Sequence, residues 1–359
     1  MGDSDRQAGT QGMARRILRR GLLSENFVLY LSVVFFAILY LFMPYIASGR
    51  NLTNISSNLW PLLALVLGQM FVLILGGIDL SQTSIMALTS VVGGMLMTTQ
   101  LEPTLFEKSP LWGILLSPQG SPISGTALAV PLGILAMLAV GMLVGLLNGL
   151  AVAKGRMPAF MVTLVSMMFF SGLAIFLTKS ENIMYLPGGF TMLGAGEIGP
   201  VPYSFFVVLV LAAVAQVVLK HTVLGRWFFA VGKSIRTSVV SGVPTERVIV
   251  LGYVFSGFCA AVASILYSAR LACGRPTLGQ NLLLDVIGAA VIGGISLFGG
   301  KGKVLWAFFG VLFFVLLSNA LSMLALPFYA EPVVKGTVIL LAALLDVTRT
   351  RLLAREVLS

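Results

Sequence analysis

The chain has 359 residues, of which 58% are hydrophobic and only 10% are charged, and its mean hydropathy is +1.00. Because soluble domains carry roughly 25% charged residues, this composition excludes a soluble fold and indicates a protein with several membrane spans. The net charge of +10 does not indicate a nucleic-acid partner, since the basic residues cluster in the segments between the apolar stretches.

The apolar stretches are long and continuous. A membrane-spanning helix needs about 20 mostly apolar residues, and the alternation with a period of two that a transmembrane β-barrel requires is missing. We therefore predict an all-α membrane protein with about ten transmembrane helices. The predicted spans are residues 27–47, 56–76, 82–100, 127–153, 157–178, 203–219, 248–270, 284–299, 303–326 and 334–348.

Charge then orients the chain. If the first residue lies inside, 17 of the 23 Lys and Arg side chains fall on the inner side and six on the outer side. Cytoplasmic loops carry an excess of Lys and Arg, so we expect both termini in the cytoplasm. A basic segment at residues 1–24 then precedes one transmembrane domain at 25–348, and a cytoplasmic tail follows at 349–359.

The same orientation assigns the longer loops. Two loops rich in Gly and Pro, at about 101–126 and 179–202, fall outside, and a basic segment at about 220–247 falls inside. Within the fourth predicted span, small residues recur four apart from Gly141 through Gly145 and Gly149 to Ala153. Such a face lets another helix approach closely, and we favour a helix of the same chain over a second subunit.

Two acidic residues, Asp285 and Asp346, fall inside predicted spans, and Asp79 lies between two of them; an ionisable side chain within the membrane costs about 2.5–3.5 kcal/mol. Asp79 follows two glycines, where a helix would break, so we expect its carboxylate to cap the next helix. Contact with a transported solute is the alternative. Asp285 is expected near the outer surface, close to Arg270 or Arg275, and Asp346 at a solvated helix end.

Uncharged polar side chains are also sparse within the spans: Gln69, Asn148, Thr163, Gln216 and Asn319. Amides in a helix bundle usually bond neighbouring helices, so packing is the default interpretation. They are also the groups that would line a path for a neutral, hydroxyl-rich solute, because an amide both donates and accepts. The predicted path residues are Gln69, Asp79, Asn148, Asp285 and Asn319.

The sequence shows neither a catalytic set nor a metal site. It has one histidine and two cysteines, none in a metal-ligand spacing. Gly299-Gly300-Lys301 lacks the upstream glycine and the following hydroxyl of a phosphate-binding P-loop. We therefore expect no enzyme activity and no bound cofactor in this chain, and any energy for transport would enter through another subunit.

The stretch from Gly225 to Val243 places polar, basic residues between two apolar segments. Arg226, Lys233 and Arg236 flank the aromatic pair Trp227-Phe228. Four further residues, Phe229, Val231, Val239 and Val240, complete an apolar face. A short amphipathic helix with exposed apolar residues suits a groove on a cytoplasmic partner. The alternative is an interfacial helix that lies on lipid.

Several motifs follow one another between about residues 55 and 346. They are Gly76–Ser81 (GGIDLS), Gly145–Gly149 with Val152–Lys154, Pro158–Phe160 with Thr163-Leu164, Gly225–Gly232, Ser241–Val243, Asp285–Gly294 with Ser296-Leu297, and Val334–Gly336. With this ordered set the chain resembles the membrane permeases of bacterial ABC importers for monosaccharides, the ribose, xylose and galactose group.

The resemblance implies a type II importer permease-like fold of about ten helices in the bacterial inner membrane. It also implies a second permease copy, a periplasmic sugar-binding protein, and a separate cytoplasmic ATPase that binds ATP and Mg. The stretch from about Gly232 to Val243 would be the coupling helix. The implied ATPase-coupling residues are Arg226, Gly232, Lys233, Arg236, Ser241, Gly242 and Val243.

One departure from the family concerns charge. Where the family tends to have an acidic residue followed by alanines, this chain has Ser234 to Ser238 with Arg236 at the centre. We therefore expect the matching groove on the ATPase to be more acidic. Two other classes of function stay open: a stand-alone secondary carrier or facilitator for a small neutral solute, and a membrane-embedded enzyme. The scarcity of membrane carboxylates disfavours an ion-coupled carrier, and the missing catalytic set disfavours an enzyme.

Overall fold

The computed structural model describes residues 27–327, 329–342 and 344, and within them the chain is mostly helical. The predicted basic segment 1–24, Asp346 and the tail 349–359 lie outside the described residues. In chain order the helices are α1 (Phe27–Phe42), α2 (Gly49–Ile74), α3 (Gln82–Met97), α4 (Pro103–Phe106), α5 (Ala129–Ala153), α6 (Ala159–Thr178), α7 (Gly188–Ala195), α8 (Tyr203–His221), α9 (Val223–Lys233), α10 (Ile235–Val240), α11 (Thr245–Leu271), α12 (Leu283–Ile292) and α13 (Val304–Met323).

Three smaller features complete the description. A 3-10 turn covers Pro44–Ala47, and strands β1 (Glu197–Ile198) and β2 (Val201–Pro202) form an antiparallel hairpin. Residues 330–342 are also helical.

Six of the described helices are long and apolar enough to cross a membrane: α2, α5, α6, α8, α11 and α13. Three apolar helices are shorter, namely α1, α3 and α12. The chain is therefore a multi-pass helical membrane protein, and the count of ten spans stays a prediction.

The predicted boundaries of three spans were wrong. The first helix ends at Phe42 instead of residue 47, because Pro44 has no backbone N–H to continue it and begins the 3-10 turn. The helix predicted over 82–100 ends at Met97, and that predicted over 284–299 ends at Ile292. At 1.5 Å per residue α12 is only about 15 Å long, and non-helical chain follows it.

Helix α2 forms the centre of the molecule. Within the most apolar 18-residue stretch of each helix, 83% of α2 is buried, against 17–28% of α5, α6 and α8. A helix that is apolar on all sides is stable on the outside of a bundle only where lipid surrounds it, so the faces of α5, α6 and α8 mark the lipid boundary.

The small-residue face of α5 packs against α11, as predicted for a contact within one chain. A Cβ placed on Gly141 would lie 2.6 Å from the carbonyl oxygen of Gly257, and one on Gly149 would lie 2.8 Å from Cα of Val250. The glycines thus bring the two backbones into direct contact. This pairing fixes α11 beside α5 and, through α2, beside the centre of the bundle.

The two ends of the bundle differ in charge. The end formed by the turn 154–158, the segment 220–247 that contains α9 and α10, and the loop 293–303 carries nine Lys and Arg side chains and one glutamate; we call it the basic end. At the opposite end, which we call the loop end, the connections 98–128 and 179–202 lie together. There Thr98 Oγ1 donates to the carbonyl of Met184 (2.8 Å), and Phe106 and Ile183 share a small apolar cluster.

Candidate functional site

Between α2 and α3 the chain is non-helical over residues 75–81, a segment we call the break. The side chain of Gln82, the first residue of α3, donates to the carbonyl of Leu65 (3.2 Å). Leu65 lies nine residues before the end of α2, so the break runs back alongside α2 for about 13 Å. Non-helical backbone beside α2 therefore joins α2 to α3, which begins at Gln82 as predicted.

The backbone polar groups of the break are bonded by side chains. With its amide oriented to satisfy both groups, Gln69 donates to the carbonyl of Asp79 (3.0 Å) and accepts from the N–H of the same residue (3.2 Å). Thr163 Oγ1 donates to the carbonyl of Ile78 (3.1 Å). Irregular backbone at membrane depth is tolerated only where protein supplies such partners, so these two side chains allow the break to exist.

The carboxylate of Asp79 is buried in the break and is held by three neutral donors. Oδ1 accepts from the backbone N–H of Ser81 (2.9 Å) and from Ser81 Oγ (2.6 Å), and Oδ2 accepts from Ser256 Oγ (2.7 Å). Ser81 is the residue that precedes α3, and Asp79 accepts from its N–H and hydroxyl, although no side chain caps the first turn of α3 itself. The contact also ties α3 to α11.

Further amides extend this network. Asn148 Nδ2 on α5 donates to Ser81 Oγ (2.8 Å), and Gln82 Nε2 donates to Ser256 Oγ (2.9 Å). The side chains of Gln69 and Asn148 are buried and engaged with the break, which is the packing arrangement that the sequence made the default. We call the group Gln69, Asp79, Ser81, Gln82, Asn148, Thr163 and Ser256 the polar network.

The buried hydroxyl of Tyr253 has no hydrogen-bond partner among the described residues. Tyr253 is buried on α11, and a Cβ placed on Gly77 would lie 2.8 Å from the hydroxyl oxygen. A glycine at position 77 therefore leaves the space that the tyrosine ring fills.

The two other predicted path residues lie elsewhere. Asp285 does not pair with Arg270 or Arg275: it is buried against Lys335, whose Nζ lies 2.7 Å from Oδ1 and donates to Oδ2 at 2.9 Å. The same Nζ lies 2.7 Å from Glu331 Oε1. Lys335 lies 50 residues away in the sequence, so no local pattern indicated it as the partner of Asp285.

Arg270, which was expected near Asp285, bonds α2 instead. Its guanidinium donates to the side-chain oxygens of Asn58 (2.7 Å) and Asn54 (2.8 Å). Asn319 on α13 exchanges two hydrogen bonds with the amide of Asn51 (2.9 and 3.0 Å). The structure thus brings Gln69, Asp79 and Asn148 together, whereas Asp285 and Asn319 belong to separate helix contacts.

The predicted coupling segment consists of two short helices, α9 and α10, joined at Ser234, whose side chain accepts from the N–H of Thr237 and caps α10. The apolar face predicted for the segment is divided between them. Phe228 and Val231 of α9 are buried, and Phe228 packs edge-on against Phe71 of α2 with ring centroids 5.1 Å apart. The single continuous apolar face that the sequence predicted is therefore not present. The helix is interrupted at Ser234, which turns the apolar faces of α9 and α10 in different directions.

The exposed part of the segment is α10 with its flanks. Ile235, Val239 and Val240 are exposed apolar residues, and Val240 is 85% exposed. The predicted coupling residues Arg226, Lys233, Arg236, Ser241 and Gly242 are also exposed, Val243 is partly exposed, and Gly232 is partly covered by other parts of the chain. An exposed apolar strip beside basic side chains is a surface suited to a protein partner.

Comparison with known proteins shows where the chain belongs. Residues 51–343 match the family described as the permease component of the branched-chain amino acid transport system. The chain belongs to this family. These permeases work as subunits of ABC importers and are not themselves catalytic. No solved structure matches the chain.

Named relatives align over almost the whole chain. The ribose import permease protein of Escherichia coli (strain K12) is 31% identical over 339 residues, covering 92% of this chain and 96% of the relative. An L-arabinose ABC transporter permease protein of Azospirillum brasilense is 29% identical, covering 90% and 88%. A xylose transport system permease protein of Haemophilus influenzae is 27% identical, covering 92% and 99%. The predicted resemblance to monosaccharide permeases is confirmed.

Sequence reasoning missed Ser256, Lys335 and Asn51 as partners. Ser256 lies in an apolar helix without a local signal, and Lys335 was counted as an outer charge and as part of the Val334–Gly336 motif, without a partner. Among the described residues the structure brings no three His, Cys, Asp or Glu side chains into a group that could hold a metal ion.

Proposed function

We propose that this chain is the transmembrane permease subunit of an ATP-driven importer for a monosaccharide, with a pentose as the first solute to test. The observation that carries the proposal is the alignment with the ribose import permease over 92% of this chain and 96% of the relative. The relatives named for arabinose and xylose point to the same class of solute.

The basic end is proposed to face the cytoplasm, because cytoplasmic loops are rich in Lys and Arg. A separate ATPase that binds ATP and Mg would then sit on α10, held by its apolar strip and by Arg226, Gly232, Lys233, Arg236, Ser241, Gly242 and Val243. The loop end would face the periplasm and receive a sugar-binding protein on the connections 98–128 and 179–202.

The translocation path is proposed to pass beside the break, at the interface with a second permease copy in the bacterial inner membrane. On this account Gln69, Asp79 and Asn148 shape the wall of the path by holding extended backbone in place. Asp285 with Lys335, and Asn319 with Asn51, fasten the helices around it. A neutral polyol requires no charged partner, which suits a network whose donors to Asp79 are all neutral.

Competition for uptake tests the solute class. Proteoliposomes that contain this chain, its ATPase and its binding protein should accumulate labelled ribose, xylose or arabinose when ATP is enclosed. Unlabelled pentose should abolish the signal, and leucine, isoleucine and valine should leave it unchanged. Uptake that branched-chain amino acids block and pentoses do not would contradict the proposal, and the family description makes that control necessary.

A further inference from the structure

Helix α9 touches the end of α2 without any side chain between the two backbones. A Cβ placed on Gly232, the penultimate residue of α9, would overlap the carbonyl oxygen of Ile74, the last residue of α2, and would lie 2.7 Å from the backbone nitrogen of Gly300. That nitrogen donates to the same Ile74 carbonyl at 2.8 Å. Three chain segments therefore meet at one carbonyl oxygen, and we call this contact the Ile74 junction.

The junction requires glycine on two of its sides. Gly299 and Gly300 have φ of +89° and +71°, a conformation that other residues rarely adopt. A Cβ on Gly299 would also lie 2.6 Å from the carbonyl oxygen of Gly232. At Gly232 and Gly299 backbone rests on backbone, so no flexible side chain can absorb a displacement there, whereas Gly300 is constrained by its positive φ.

The rest of α9 is anchored to the same helices. The Phe228 ring packs on Phe71 of α2, and Phe71 in turn packs on Phe255 of α11 with ring centroids 4.3 Å apart. A Cβ on Gly252 of α11 would lie 3.2 Å from the Phe228 ring. A displacement of α9 therefore moves the basic-end parts of α2 and α11 with it.

Only Leu75 to Ile78 separate the junction from Asp79. Three side chains hold the break to neighbouring helices. Gln69 of α2 makes two hydrogen bonds to it, and Thr163 of α6 and Ser256 of α11 make one each. A segment held by so few hydrogen bonds can exchange them when its base shifts, which is the kind of element that conformational switches use.

We infer that Gly232 is a positioning residue of transport: it transmits movement of the α9–α10 unit to the break through the Ile74 junction, instead of contacting the ATPase. The inference rests on the proposed function, in which the ATPase causes that movement. It places Gly232 at the Ile74 junction inside the permease and removes it from the surface that docks the ATPase. The exposed residues of α10 keep the docking role.

The test measures accessibility at the break in the assembled complex, which does not depend on which solute is carried. Ile78→Cys is introduced with Cys259→Ala and Cys273→Ala, and its rate of reaction with N-ethylmaleimide is compared between nucleotide-free complexes and complexes with a non-hydrolysable ATP analogue. We expect the two rates to differ by about threefold or more. Equal rates would overturn the inference.

Gly232→Ala should bring the ratio of the two rates close to one while the ATPase still co-purifies and hydrolyses ATP, because the added methyl group wedges the junction and leaves α10 exposed. Gly172→Ala on α6 is the matched control, because a Cβ at Gly172 would meet no atom within 4 Å. This variant should retain the full ratio of the two rates. Gly300→Ala, on the opposite side of the junction and outside the coupling segment, should act like Gly232→Ala.

Retention of the full ratio by Gly232→Ala would overturn the inference. So would loss of ATPase binding in Gly232→Ala combined with a full ratio in Gly300→Ala, since Gly232 would then belong to the docking surface. Absence of pentose uptake by the unmodified complex would refute only the proposed solute, because the labelling ratio needs no solute.

Discussion

At the scale of single residues, the unusual feature is the carboxylate of Asp79 inside an apolar bundle, which has no counter-ion among the residues that the structure describes. Ser81 and Ser256 donate to Asp79, and their own hydroxyl oxygens accept from Asn148 and Gln82. Asp79, Ser81, Gln82 and Ser256 thus each bond two partners, and leaving a buried polar group without its partner costs free energy.

Ser256→Ala removes the donor to Asp79 Oδ2 and an acceptor of the Gln82 amide. We expect the free energy of unfolding to fall by about 1–3 kcal/mol, the cost of leaving buried polar groups unsatisfied. Unfolding of the purified chain in mixed micelles by increasing SDS measures it. Ser322→Ala, which removes an exposed hydroxyl bonded within its own helix, should change little, and equal losses in the two variants would refute this role for Ser256.

Asp285 is stabilised differently from Asp79: its partner is a charged side chain, Lys335, and both members of the pair are buried. Lys335→Met leaves the carboxylate of Asp285 without its cation and should lower the free energy of unfolding by about 3–5 kcal/mol. Adding Asp285→Asn removes the uncompensated charge and should restore part of the loss. The SDS titration again decides: a double variant less stable than Lys335→Met alone would contradict the buried ion pair.

At the scale of elements, glycines determine which helices touch. A Cβ on Gly145 would overlap the carbonyl oxygen of Tyr253, the residue whose ring fills the space beside Gly77. The pairing of α5 with α11 therefore also sets the position of the break.

Gly145→Val should separate α5 from α11 and lower the free energy of unfolding by about 1–3 kcal/mol, the usual cost of overpacking. Gly172→Val makes the same chemical change at an exposed position of α6 and should leave stability nearly unchanged. Unfolding in SDS measures both, and a Gly145→Val variant as stable as the control would exclude close packing at this site.

Helix α10 supplies the element-scale prediction about partners. With Arg236 exposed among apolar residues, the groove that receives it should be acidic, so Arg236→Glu should weaken assembly with the native ATPase by about tenfold, or 1.4 kcal/mol. Recovery of the ATPase on a tagged chain measures the change. Lys108→Glu carries the same charge change to the loop end and should not affect recovery; undiminished recovery with Arg236→Glu would refute the acidic groove.

The parts of the fold that the sequence predicted are those set by local pattern. Long apolar runs located the six spanning helices, the four-residue glycine repeat located the α5 face, and Gly76-Gly77 located the break. What it missed depends on contacts distant in sequence: Ser256 meets Asp79 across 177 residues, and Lys335 meets Asp285 across 50. Nor does hydropathy show where a short helix ends within an apolar stretch, so α3 and α12 were predicted to extend past Met97 and Ile292.

At the scale of the whole molecule, charge and shape point in one direction. Nine Lys and Arg side chains surround α9 and α10 at the basic end, and the break begins immediately beneath them at the Ile74 junction. The opposite end carries the folded connections 98–128 and 179–202. A permease needs an energised face, a receiving face and an adjustable segment between them, and this arrangement provides candidates for all three.

ATP-dependent uptake is the measurement that tests this account most directly. Labelled pentose would be offered to proteoliposomes containing the chain alone, with its ATPase, or with both ATPase and binding protein, each with and without ATP and an ionophore. The account predicts accumulation only when both partners and ATP are present, whether or not the ionophore collapses ion gradients. Uptake by the chain alone without ATP would contradict it, indicating an ion-coupled carrier if the ionophore abolishes accumulation and a facilitator if it does not.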